Sequence, residues 1–183
     1  MRRSAHAQPP PDDPGAFILR LRADVLAAGA DGASDAARTA LERVIREAFD
    51  FGAIAQSVLR NVAIPATADQ RVRLARALAR RMSDELVRRG GGADHGFRIA
   101  ALREAAAGEW IVVSQVMPPD APLTVLAWRV RRVDGRLRVI DVVRDGISAV
   151  IVQRDAISSA VAAGRSLDSV IDDIERRSGA ARR

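Results

Sequence analysis

The sequence predicts an α+β fold, with helices packed on one four-stranded antiparallel sheet. Two observations carry that expectation. Segments of helical period come first and last, with all strand-like segments between them, and such segregation marks α+β rather than alternating α/β folds. In addition, Asp134-Gly135 separates two long β-prone runs, and an Asp-Gly pair tolerates the positive φ that a two-residue hairpin loop needs.

Side chains alternate along a strand, so Thr124, Leu126, Trp128 and Val130 share one face of the first hairpin strand. Leu123, Val125 and Ala127 share the other. On the second strand, Leu137, Val139 and Val143 fall on one side, and Ile140 and Val142 on the opposite side. Both faces are therefore largely apolar, whereas a sheet with one wet face is polar at every second position. A sheet covered on both sides is expected, by helices, a partner or an apolar ligand.

The remaining elements follow in chain order. Residues 1–12, proline-rich from Gln8, and residues 179–183 are expected to be tails around a single domain over 13–178. Asp13-Pro14 supplies an N-cap and a first-turn proline, with Phe17, Leu21, Val25 and Leu26 as the apolar stripe of the first helix. A second helix runs from Ser34 to Ala48 and a third from Phe51 to Asn61. Thr67 and Gln70 form a capping box that opens a long helix to about Arg89, with Val72, Leu74, Leu78, Met82 and Leu86 inward. Gly90-Gly91-Gly92 ends it and lacks the strand and Lys-Ser/Thr of a phosphate loop. Strands are expected at 96–103 and 109–117. After Asp145-Gly146 a helix runs from Ile147 to Ala163, and a last one starts at the Ser166 cap.

Composition excludes several functions. There is no cysteine, so no disulfide or thiolate metal site. The formal charge is +6 and every basic residue is arginine. An arginine excess suits anionic lipid or nucleic acid, yet the arginines are scattered along the chain and suggest no continuous basic stripe. Aromatic residues make up 3%, too few for the stacking platforms of single-strand binders. No apolar run approaches the ~20 residues of a membrane-spanning helix. Ala5-His6-Ala7 has the small-x-small form of a secretory cleavage site behind a short basic start, without the apolar segment between.

Catalytic chemistry is hard to assemble from this set. The two histidines, His6 and His95, fall in expected loops, and no metal-ligand spacing involves them. No serine sits in a Gly-x-Ser-x-Gly elbow. Asp141 is the one acid within an otherwise apolar strand. Its structural reading is a buried carboxylate that caps backbone or pairs with an arginine, Arg154 being the natural partner. Its catalytic reading is an acid/base in a small α+β cone acting on an apolar small molecule. Excess apolar sheet surface without catalytic groups fits an apolar-ligand carrier, since each buried methylene contributes ~0.8 kcal/mol.

Three segments carry a family resemblance. Phe49-Asp50 through Ile54-Ala55 and Val58-Leu59, then Ala66-Thr67 and Gln70, are similar to F-D-x-x-x-(I/M)-A-x-x-(V/A)-L followed by A-(T/S)-P-x-Q. Leu137 to Val143 with Asp145-Gly146-Ile147-Ser148 is similar to W-(R/K)-V-Y-D-V-x-x-(E/D)-G-V-S. Val150, Gln153-Arg154 and Ile157, then Gly164 and Leu167 to Ile174, complete the pattern. In this order and spacing they resemble the MlaC-like, toluene-tolerance auxiliary family of periplasmic phospholipid-binding proteins. Arg60-Asn61-Val62-Ala63 stands where the family has Gly-Arg-x-Trp, and Leu137, Ile140, Gln153 and Ile157 replace family aromatics. That trend toward smaller groups implies a changed cavity, and a hopanoid-associated branch is similar in general pattern.

The resemblance implies a curved sheet and helices enclosing an apolar pocket for lipid tails. It implies a non-enzymatic, cofactor-free and metal-free carrier in the periplasm, shuttling phospholipid or a hopanoid-type lipid. Its partners would be an inner-membrane ABC transporter complex and an outer-membrane lipoprotein complex, with no nucleic acid. Ala5-His6-Ala7 would then be the remnant of a signal-peptide region. On this reading Val113, Val125, Ala127, Val139 and Val143 of the sheet line the pocket, with Ile54, Val58, Met82, Val150 and Ile151 of the helices. Each is equally acceptable as an ordinary core position.

Overall fold

The computed structural model describes residues 13–32, 34–88 and 95–179. Both expected tails, apart from Gly179, and the Gly90–Gly92 stop lie outside the described residues. Four helices come first: α1 (Pro14–Ala28), α2 (Asp35–Ala48), α3 (Phe51–Leu59) and α4 (Ala68–Arg88). Each begins where a side chain satisfies an orphan amide of the first turn. Asp13 accepts from Ala16 N at 2.7 Å, Ser34 from Ala37 N at 3.1 Å and Asp50 from Ala53 N at 2.9 Å. The capping box closes in both directions: Gln70 N donates to Thr67 Oγ1 at 3.1 Å and Thr67 N to Gln70 Oε1 at 2.9 Å.

On α4 the buried stripe is Leu74, Ala77 and Leu78. Val72 was expected inward but is 47% exposed. Two residues from Leu74 is about 200° around a helix, so the two side chains cannot share a face.

Strands β1 (Gly96–Ala106), β2 (Glu109–Met117), β3 (Thr124–Val133) and β4 (Arg136–Arg144) form an antiparallel meander in sequence order. A fifth strand, β5 (Ile147–Ser148), adds to the four expected. Its cause is a second tight turn. Asp145 and Gly146 take φ of 49° and 85°, as Asp134 and Gly135 take 48° and 75°, so the chain doubles back on β4. Helix α5 (Ala149–Ala162) therefore starts two residues later than expected, and α6 (Leu167–Gly179) follows.

Register assigns the faces. On β4 a bulge leaves Ile140 without a partner, because adjacent Arg129 and Val130 oppose Asp141 and Val139. Beyond it the alternation is shifted, and Val142 joins Leu137 and Val139 on the helix-facing side. Val143, expected there, pairs with Ala127 on the outer side. The helix-facing rows run Glu104–Trp110–Val130–Val139, then Leu102–Val112–Trp128–Val142, then Ile99–Ser114–Leu126–Arg144. Val112, Val130 and Val139 have no exposed surface and join Ile54 and Val58 of α3, Leu74 of α4, Ile157 of α5 and Ile171 of α6 in one core. The outer face has no such packing. Apart from Asp141 and Ser148, buried at the start of α5, its residues are half-buried or exposed, and among the described residues helices pack over one side of the sheet.

The helices before and after the sheet are tied together by charge. Arg73 of α4 reaches Asp172 at 2.5 Å, Glu175 at 2.8 Å and Asp168 at 3.2 Å on α6. The hydrogen bonds it donates to Glu175 and Asp172 raise its pKa above the ordinary guanidinium value. In the middle of α6, Asp173 accepts hydrogen bonds from Arg165, and secondarily from Arg176, which lowers its pKa below the ordinary 3.8. A depressed carboxyl stabilises the fold above its unfolded pKa, and that contribution fades as pH falls through the lower folded value. Thermal melts are expected to lose stability as pH drops below about 4, with a shallower slope there in Asp173→Asn; identical slopes would refute the assignment.

Candidate functional site

The helix-facing side of the sheet is packed unevenly. On β3 and β4 burial falls toward the start of β3 and the end of β4, while Val112 and Ser114 of β2 stay sealed. Val130 and Val139 are sealed, Trp128 and Val142 in the next row are half-buried, and so is Leu126 beyond them. Arg144 closes that row in the open, beside Ile147 of β5 at 64% exposure. Half-buried Val150 and 46%-exposed Ile151, from the first turn of α5, complete an apolar rim. Within it the indole of Trp128 donates from Nε1 to Ser114 Oγ at 2.9 Å, which fixes the ring over a fully buried hydroxyl. An apolar surface with one satisfied polar pair suits a hydrocarbon ligand, since nothing polar is stranded when water leaves.

The ten residues expected to line a pocket divide into three groups. Ile54, Val58 and Val139 are sealed in the core, with Met82 and Val150 packed partly buried against it. Val113, Ala127 and Val143 form a single row on the outer face, with Val125 on the same side, so these four cannot share a lining with the first group. Ile151 stands at the rim. Placing Val113, Val125, Ala127 and Val143 together with Val139 was the error, and its physical source is the one-residue slip at Ile140 together with the choice of odd positions on β2 and β3. Leu126, Trp128 and Val142, outside the expected ten, share the helix-facing side with Val139. The available signal was Trp128, since a large ring on an otherwise aliphatic strand marks the side with depth to fill.

Asp141 is 5% exposed and both its oxygens are used. Oδ2 accepts from Ser148 Oγ at 2.7 Å and Oδ1 from Val150 N at 3.2 Å, while Ser148 Oγ itself accepts from Ile151 N at 3.1 Å. This relay anchors the N-terminus of α5 to β4. The expected partner Arg154 instead meets Asp155 at 3.1 Å. The backbone-capping role anticipated for Asp141 is the one it plays, and a carboxylate so occupied has no oxygen aimed at a substrate.

A polar cavity of about 380 Å³ lies between α2 and α4, lined by Asp35, Arg38, Thr39, Glu42, Arg80, Ser83 and Asp84. Its charged lining, including the Arg38–Asp84 pair at 3.7 Å, makes it unfit for acyl chains, and none of the ten expected residues borders it. Among the described residues no cluster of His, Asp or Glu is arranged to hold a metal ion, and no helix is long and apolar enough to cross a membrane.

A family model described as MlaC protein matches residues 22–176. The chain belongs to the MlaC family. The match spans all three segments that carried the resemblance, and the architecture agrees with it. A solved structure of the phospholipid-binding protein from Ralstonia solanacearum, in complex with a phospholipid, superimposes with a TM-score of 0.76. It shares 15% identity and covers 93% of this chain and 99% of its own. At that identity the likeness establishes the shared MlaC-type fold. No curated protein matches the chain.

Proposed function

We propose that this MlaC-family chain is a periplasmic lipid carrier that takes the acyl chains of a phospholipid between its helices and the helix-facing side of its sheet. Family membership carries the reading, and the phospholipid bound to the Ralstonia relative supports it. The half-buried surface of Leu126, Trp128, Val142 and Val150 supplies the entry. Tails entering there displace water from apolar side chains, at ~0.8 kcal/mol gained per buried methylene. Partners of the carrier would be an inner-membrane ABC transporter complex and an outer-membrane lipoprotein complex. Smaller residues at Leu137, Ile140, Gln153 and Ile157 than in the family pattern leave a hopanoid-type lipid as the variant ligand.

Native mass spectrometry of the purified protein, followed by organic extraction, tests this directly. One co-purified phospholipid per chain is the expected result. A protein that is empty and takes up no added phospholipid or hopanoid would sink the reading. Leu126→Gln is expected to lower uptake roughly tenfold, because a desolvated amide without a partner costs about 1–3 kcal/mol. Val125→Gln, one residue away on the outer face, should leave uptake unchanged.

A further inference from the structure

The arginines that look scattered in the sequence are gathered by the sheet register. On the outer face, Ala101, Val113, Ala127 and Val143 form one cross-strand row of small apolar side chains. The row on one side of it begins with Arg98, paired with Gln115. The row on the other side carries Arg103 and Arg129, and Arg131 follows beside Glu109. Strands lie about 4.8 Å apart and successive rows on one face about 7 Å apart, so these guanidiniums are spread over about 20 Å of one face, with Arg103, Arg129 and Arg131 grouped toward one end.

Arg98 and Arg103 are exposed, and the Arg129 and Arg131 side chains are 48% and 40% exposed. Glu109, which meets Arg131 at 2.7 Å and Arg129 at 3.8 Å, is the accessible carboxylate among them. Asp141 on the same face is buried and committed to α5. Arg138 turns away to donate to the carbonyl of Glu47 at the end of α2.

We infer that this outer sheet face is a docking surface for an anionic phospholipid membrane. It goes beyond lipid carriage, and does not require that a lipid enter the core. Long arginine stems overlie the small apolar row while their heads stay wet, so the surface presented outward is guanidinium rather than hydrocarbon. A planar fork of donors matches phosphate oxygens bidentately, and the arrays of such oxygens on a headgroup layer suit a flat face with several forks at fixed spacing. Ile111 is half-buried between Arg103 and Arg129, and Met117 stands at the far end of β2, so the arginines dominate this face and binding is chiefly electrostatic. It weakens once salt shortens the Debye length to well below the ~8 Å of physiological solution. Nucleic acid is the less suited polyanion. Phe97, Trp110 and Trp128 all lie on the helix-facing side, which leaves this face without a ring for base stacking.

The test uses the full chain, co-sedimented with vesicles of equimolar phosphatidylglycerol and phosphatidylcholine or of phosphatidylcholine alone. Wild-type protein is expected on the anionic vesicles only, and to be released by high salt. An Arg98→Glu/Arg103→Glu/Arg129→Glu variant should bind at least about 30-fold more weakly, since each basic group near an anionic surface contributes roughly fivefold. An Arg43→Glu/Arg60→Glu/Arg76→Glu variant has the same net charge but its changes lie on helices and at a helix end, and it should retain most binding. Circular dichroism verifies that both fold, and a single Arg103→Glu change stands in if the triple variant does not. Equal losses in the two triple variants would overturn the proposal in favour of net charge. Absence of wild-type binding to the anionic vesicles would overturn it outright. Tighter binding of a DNA duplex, lost in the same outer-face variant, would replace the membrane with nucleic acid. Lipid loading, read separately by native mass spectrometry, keeps a failure of docking distinct from a failure of carriage.

Discussion

Val112→Asp and Val113→Asp are expected to differ by more than about 3 kcal/mol, although the two residues are neighbours on one strand. Val112 has no exposed surface and faces the sealed core, between Leu102 and Trp128 across the strands. A carboxylate there is buried among apolar groups with no partner, at a cost above about 4 kcal/mol, a large share of the 5–15 kcal/mol that holds a domain together. Val113 points the other way, half-buried between Ala101 and Ala127, with Arg103 and Arg129 in the next row. Its substitution should cost about 1 kcal/mol or less, as surface changes do. Urea unfolding followed by circular dichroism reads both values. Comparable losses would mean that the outer face is covered after all, and would restore Val113 to the pocket lining.

Asp141→Ala is expected to destabilise the protein by roughly 2–4 kcal/mol. The substitution strands the buried Ser148 hydroxyl and the part-buried Val150 amide, and loosens the cap of α5. Asn keeps one acceptor but turns an amide toward the second donor, so about half that loss remains. Ser148→Ala removes the middle of the relay and should cost about 1 kcal/mol alone. Because Asp141 holds the same hydroxyl, the two losses combine to less than their sum in a double-mutant cycle. A loss of under about 0.5 kcal/mol in Asp141→Ala would contradict the anchoring role. Loss of a small-molecule activity without loss of stability would instead revive Asp141 as an acid/base.

Local chemistry was legible wherever a short motif decides it. Asp13-Pro14, Ser34, the Thr67/Gln70 box, Asp134-Gly135 and the Ser166 cap each act where the sequence places them. Those signals involve residues at most three apart, so no tertiary information is needed. The faces of the sheet were less legible. One unpartnered residue, Ile140, reverses every side chain after it, and nothing in an unbroken run such as Val139-Ile140-Asp141-Val142-Val143 reveals where a strand will bulge. The exposure of Ile151 was not legible for a related reason. An apolar residue on a helix announces a preference for burial, but whether a neighbour arrives to bury it depends on elements far away in the chain. The basic face was invisible for the same reason, since Arg103 and Arg129 come into one row only through three strands in register.

The two bulges on β1 bear on how the protein behaves in company. At the other end of the sheet the exposed edge is short. Strand β5 has two residues, and the chain at Phe49 and Asp50 covers part of β4, with Asp50 N donating to Val139 O at 2.9 Å. Strand β1 is eleven residues long and is the sheet's outermost strand at its own end. A flat edge of that length is a template on which a second molecule can add a strand, and then a third. Ala100 and Ala105 interrupt its regular spacing of amides and carbonyls. Arg98, Arg103 and Glu104 add charge to every few residues. Two such edges brought together have their hydrogen-bonding groups out of step, which disfavours pairing. The irregularities of β1 thus keep the sheet from growing past its own chain, and the protein is guarded against fibrous self-association at the edge where it is most exposed.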